Sequence, residues 1–249
     1  MKICGFYHVA MMNDWVSLAN SQLLKLIQSG LLDASEYVYV SCVGPKGEFR
    51  KAEKIHPKIQ LHHTNTRLQS YEHPTLQIMH ETSRQSDFAC YYLHTKGVSL
   101  TSYKKNKKEF DKRFNKQHQV KKFGHTNISK VLNNSYHWRL FLEYFIIERW
   151  QEAYNELKEY DCVGVNWRTE PFQHYGGNFW WSKSAYMRGL DDVYDFDCKA
   201  KYDRMRPEAW IGQKDDVRAK NLSEEAPSYF GNPVLPKTYR IKNTPPEPA

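Results

Sequence analysis

The chain has 249 residues, 40% of them hydrophobic and 14% aromatic, with a net charge of +8. That length suits one large domain, the apolar content excludes a disordered chain, and no run approaches the ~20 apolar residues that span a bilayer. The charge is concentrated, because residues 101–125 hold nine Lys/Arg against two acids while the remainder holds 27 basic and 26 acidic residues.

In chain order, short apolar runs alternate with helical patterns, which predicts βαβ units and a mostly parallel sheet in a single α/β domain. The first run, KICGFYHV at 2–9, reads as a strand and not as a signal peptide, which it lacks the apolar length to be, so the reading is of a cytoplasmic protein. Residues 13–33 follow as a helix that puts Trp15, Ala19, Leu23, Leu26 and Ile27 on one face, with Asn13 or Asp14 as N-cap and Gly30 as C-cap. YVYVSCVG at 37–44 and KIQLHHT at 58–64 are the second and third strands. A second helix begins near His73, with Pro74 in its first turn.

FACYYLH at 88–94 is the fourth strand and runs into Thr95, Lys96 and Gly97. The basic segment at 101–125 comes next as an insertion. It reads as a solvated face, or as an attractor for phosphate, an anionic polymer or a membrane surface. The longest helical pattern, 135–160, is apolar nearly all round at its centre and is expected to be buried. DCVGVNW at 161–167 is a further strand; after it come a glycine turn, the aromatic strand NFWW and a helix opened by Pro207. The domain is placed at 1–220, and the Pro- and charge-rich tail at 221–249 is read as irregular. The five cysteines are widely spaced with no metal-binding pattern and read as reduced, buried thiols.

Ligands of an open parallel sheet gather at the carboxyl ends of its strands, near the point where strand order reverses. The residues there are Tyr7 and His8, then Thr64, Asn65 and Arg67, then His94, Thr95 and Lys96. The set is polar, aromatic and cationic, which suits a nucleotide. Neither G-x-G-x-x-G nor a P-loop motif occurs, so a diphosphate must be held by side chains or by a metal. At 174–181, HYGGNFWW offers a ligand wall: His174 for a polar contact, Gly177 for close backbone approach, Asn178 for hydrogen bonds and Trp180 for stacking. Alternation along a strand lets only one of Trp180 and Trp181 face the site, and Trp180 shares a face with Asn178.

YYLHTKGVS, WRLFLEYF and HYGGNFWW, with RPEAWIG downstream, together resemble nucleotide-sugar glycosyltransferases of the GT-A type. More narrowly they resemble a group from large DNA viruses and from bacteria that build surface polysaccharides. The resemblance covers roughly residues 2–212. It implies a nucleotide diphosphate sugar as donor, a UDP-sugar favoured, and a glycan or other hydroxyl acceptor. It also implies that Glu208 acts as the general base of an inverting reaction. The broader pattern has an Asp-x-Asp after the fourth strand to hold Mn or Mg; His94-Thr95-Lys96 stands there instead, which points to a metal-independent enzyme with Lys96 near the diphosphate. A divalent ion on other acids, such as those in DDVYDFD, is the alternative. The rival function is nucleic-acid binding through 104–122; the same segment would serve for peripheral contact with an anionic surface.

Overall fold

The computed structural model of the protein describes residues 1–100, 128–198, 203–229 and 231–242. The basic segment, and with it the nucleic-acid and anionic-surface readings, lies outside the described residues. Strands β1 (Lys2–Ala10), β2 (Tyr37–Val43) and β4 (Phe88–His94) form where largely apolar runs allow burial on both faces, as a parallel sheet requires, and the more polar β3 (Ile59–Asn65) takes the edge, where only Ile59 is buried. β1 pairs in parallel with both β2 and β4, so chain order reverses between β1 and β4. That reversal places His8 directly beside His94 in register.

Three short strands complete the sheet: β5 (Cys162–Gly164), β8 (Trp180–Lys183) and β9 (Ala219–Asn221). The order is β3-β2-β1-β4-β8-β5-β9, with β8 antiparallel to both neighbours. β6 (Trp167–Arg168) and β7 (His174–Tyr175) form a separate two-stranded ribbon.

Period-2 alternation divides the core. Tyr7, Val9, Tyr91 and Trp181 point to one face, under α1 (Trp15–Gln28) and the later helix Ile128–Glu143. Phe6, Tyr92 and Trp180 point to the other, under the helix His73–Ser83. The expected face of α1 is buried at Trp15, Ala19, Leu23 and Leu26, whereas Ile27 is exposed. Cys4, Cys42, Cys90 and Cys162 are buried free thiols and Cys198 is half-buried.

The long helix predicted over 135–160 is interrupted. Ile128–Glu143 runs into a π-helical turn, Tyr144–Glu148, before the helix resumes at Trp150–Glu156. The turn carries four consecutive buried residues, Tyr144 to Ile147, and the Ile146 carbonyl accepts the Trp181 indole at 3.0 Å. The tail also departs from the irregular reading, because Pro236–Lys242 is a helix and Tyr239 is buried between Phe141 and Tyr144. Among the described residues no helix is long and apolar enough to cross a membrane.

Candidate functional site

The reversal point between β1 and β4 is where the chain collects its unusual polar groups. β4 ends at His94, and a tight turn follows in which the Lys96 amide donates to the His94 carbonyl at 2.7 Å. Gly97 continues it at φ +82°, and a Cβ there would lie 2.6 Å from Ser135 Oγ, so this turn needs glycine. The turn folds Lys96 back against the sheet, leaving the residue only 8% exposed.

The Lys96 ammonium lies 4.3 Å from the centre of the Trp138 ring and 5.5 Å from that of Tyr229. Burial works against its charge, but Tyr229, Glu208 and Glu72 together outweigh that and hold its pKa above the ordinary lysine value. Among the described residues no carboxylate comes within ion-pair distance of it. Beside it, Trp138 Nε1 is buried without an acceptor. Lys96 is hydrogen-bonded to the Tyr229 hydroxyl but pairs with no described carboxylate, and the Trp138 donor has no acceptor, an arrangement that is expensive unless something fills the gap.

Glu208 enters from the short helix Arg206–Ala209, opened by Pro207 as the sequence implies. It is half-buried, and its charge acts on Lys96, His94, His174 and Tyr92, so it lies near all four. No described side chain hydrogen-bonds or pairs with its carboxylate. His174 reaches the cleft from β7. Its Nδ1 lies 2.8 Å from the Phe172 carbonyl, which can only accept, so the neutral ring keeps a free lone pair on Nε2. Burial, with Arg168 and Lys96, lowers the His174 pKa despite the opposing pull of Phe172 and Glu208.

Close to Lys96 and His94 lies Glu72, to which sequence reasoning assigns no role. Its side chain is 16% exposed, its Oε1 lies 3.4 Å from His94 Nδ1, and its Oε2 accepts from the Asn178 amide. His94 Nε2 in turn donates to the Gly177 carbonyl at 2.9 Å. Gly177 has φ +97°, and a Cβ would lie 2.7 Å from Leu142 Cδ1, so glycine alone fits. Asn178 is also left-handed, at φ +55°.

Set beside this geometry, a family model described as a domain of unknown function, DUF8361, matches residues 6–233. The chain belongs to the DUF8361 family. No curated protein and no solved structure matches it.

Several candidate residues of this DUF8361 chain serve as frame where ligand contacts were expected. Tyr7 points to the opposite face of the sheet, its hydroxyl donating to Gln22 at 2.7 Å. His8 is hydrogen-bonded to Thr75 at 2.8 Å, and burial, then His94 and His73, lower its pKa to about 3. Thr95 Oγ1 accepts from the Ala10 amide at 3.1 Å and ties β4 to β1. Trp180 shares the Asn178 face, as alternation requires, yet its ring is wholly buried and stacked on Tyr92. Its indole donates to Asn178 Oδ1 at 2.8 Å, so neither residue offers a free surface to a sugar.

At the far edge of the sheet, Thr64 is tied to Ser41 at 2.8 Å and Asn65 Oδ1 caps the Arg67 amide. Only the exposed Arg67 keeps a free functional group there, three strand spacings or about 14 Å from β4.

At the Asp-x-Asp position the donor set does not fit a divalent cation, since Lys96 supplies a fixed positive charge and both His94 nitrogens are engaged. Among the described residues no three His, Cys, Asp or Glu gather as metal ligands, the acids of 191–197 included. Beyond Glu72, sequence reasoning missed Trp138 and Tyr229 around Lys96, and Arg168 beside His174. Trp138 lies in the helical pattern expected to be buried, and Tyr229 lies in the tail.

Proposed function

We propose that the DUF8361 chain is a GT-A-type glycosyltransferase that moves a sugar from a nucleotide diphosphate sugar to a hydroxyl of a glycan with inversion. The observation that carries this reading is Lys96, an ammonium held charged inside the protein at the strand-order reversal with no ion-paired carboxylate. A diphosphate supplies the missing anion, and Trp138 Nε1 supplies a neighbouring donor to one of its oxygens.

In the reaction, the acceptor oxygen attacks the anomeric carbon and the bond from that carbon to the β-phosphate oxygen breaks. The electron pair leaves on the diphosphate, where Lys96 stabilises the growing negative charge. The hydroxyl proton goes to Glu208, whose carboxylate has no described partner to compete for it. Reaction at the face opposite the leaving group inverts the anomeric centre.

A panel of UDP-, GDP- and dTDP-sugars, assayed for free nucleoside diphosphate in the presence of glycans, tests the reading. One nucleotide sugar should be consumed and should raise the melting temperature by mass action. If none is consumed and none stabilises the fold, the reading is wrong.

A further inference from the structure

We infer that Arg168, with His174 opposite it on the β6–β7 ribbon, forms a subsite for an oxyanion borne by the acceptor, which makes that acceptor an acidic sugar. The assignment to the acceptor rests on the glycosyltransferase reading; the anionic-sugar subsite itself does not.

The ribbon fixes the pair. In its antiparallel register Arg168 faces His174 and Trp167 faces Tyr175, so the side chains of Arg168 and His174 stand on one face, their Cβ atoms about 5 Å apart. Other contacts hold the ribbon without the guanidinium. The Gly176 amide donates to the Asn166 carbonyl at 2.9 Å, the Trp167 and Tyr175 ring centres are 4.7 Å apart, and the Tyr175 hydroxyl donates to the Lys220 carbonyl at 2.9 Å.

Arg168 is only loosely engaged. Its Nε donates to Asn166 Oδ1 at 3.3 Å and its Nη2 to the Pro227 carbonyl at 3.5 Å, both longer than an ordinary N–H···O bond. A guanidinium carries five N–H donors, and among the described residues the others meet no acceptor and no carboxylate pairs with the charge. The residue is half-buried, so this charge is partly withdrawn from water without a counter-ion. Across the ribbon, His174 Nε2 offers its lone pair to a hydroxyl.

Glu208 lies near the same imidazole, as do Arg168 and Lys96. Lys96 is taken up by the diphosphate in the reaction above, which leaves Arg168 as a further cation. A sugar whose reacting hydroxyl meets Glu208 can lay a neighbouring carboxylate or phosphate on Arg168, because the guanidinium fork matches two oxygens of either group. A neutral sugar leaves that fork unanswered.

NMR titration of the full chain, without nucleotide, tests the subsite with methyl glucuronide, glucose 6-phosphate and methyl glucoside. At least one of the two anionic sugars should bind about tenfold more tightly than the neutral one, the scale of a hydrogen bond to a charged group, and the tighter of the two identifies the oxyanion. Arg168→Gln should erase the preference while leaving the melting temperature unchanged, and Arg168→Lys should keep part of it as a point charge.

Equal binding of charged and neutral sugars, or a preference that survives Arg168→Gln, would overturn the inference. So would an Arg168→Gln variant that fails to fold, if Arg168→Lys folds and binds all three sugars alike. Where a nucleotide sugar is turned over, Arg168→Gln should raise the acceptor KM about tenfold with the donor KM unchanged; a raised donor KM would place Arg168 at the diphosphate instead and overturn the assignment. Because the titration uses no donor, it fails or succeeds separately from glycosyl transfer.

Discussion

Lys96 sets two properties of the molecule against each other. A desolvated ammonium is costly to a fold, and replacing buried charge by well-packed apolar atoms is often stabilising. Lys96→Met keeps the stem length and offers a polarisable sulfur to Trp138 and Tyr229. It should therefore raise stability by about 1 kcal/mol in urea titrations while abolishing nucleotide binding; a variant that is less stable and still binds would show that the lysine is structural. Glu208→Gln probes the opposite case. The carboxylate has no described partner, so its loss should leave the fold and donor affinity intact while turnover drops at least ~100-fold, the scale of general base catalysis. Unchanged turnover would remove Glu208 from the mechanism. The place of Lys96 follows from local pattern, a strand running into a glycine turn, whereas Glu208 was singled out through the resemblance to GT-A enzymes. Glu72 was not, because an acid before His-Pro reads as a helix N-terminal charge, and its partners at His94 and Asn178 are distant in sequence.

At the scale of elements, strands with continuous apolar runs were legible to within a residue or two, since burial on both faces leaves few alternatives. The π-helical turn at Tyr144–Glu148 was hidden for the same reason that its helix was expected to be buried: an all-round apolar stretch has no periodicity to break. The C-terminal helix was hidden by composition. Around it the tail is proline and charge, and a single aromatic, Tyr239, does most of the anchoring. Its ring is wholly buried, with ring centres 5.2 Å from Phe141 and 5.0 Å from Tyr144. Tyr239→Ala should cost about 3 kcal/mol, as deletion of a buried aromatic does, and should expose the chain beyond residue 235 to proteolysis. A loss below about 0.5 kcal/mol would mean that the helix is only appended to the body.

Across the whole molecule, the buried imidazoles make stability depend on pH in a direction that can be worked out. His8 and His94 have folded pKa values of about 3 and about 4, both depressed mainly by burial, against an ordinary 6.5. The unfolded chain therefore binds more protons than the native one below that ordinary value, and stability falls with pH through this window. His73, His80 and His174 are shifted the same way and add to the slope. Glu72 acts in the opposite sense: its raised pKa contributes stability on the acid side that is lost as pH rises through its folded value. Two histidines outweigh one carboxyl, so between pH 7 and 5 the loss should be on the order of 4 kcal/mol from His8 and His94 alone. Urea midpoints at a series of pH values measure it directly. His8→Gln, which can still hydrogen-bond Thr75, should remove roughly half of the slope. A flat profile over that range would mean that the two rings are hydrated and that the packing of this face of the sheet is wrong.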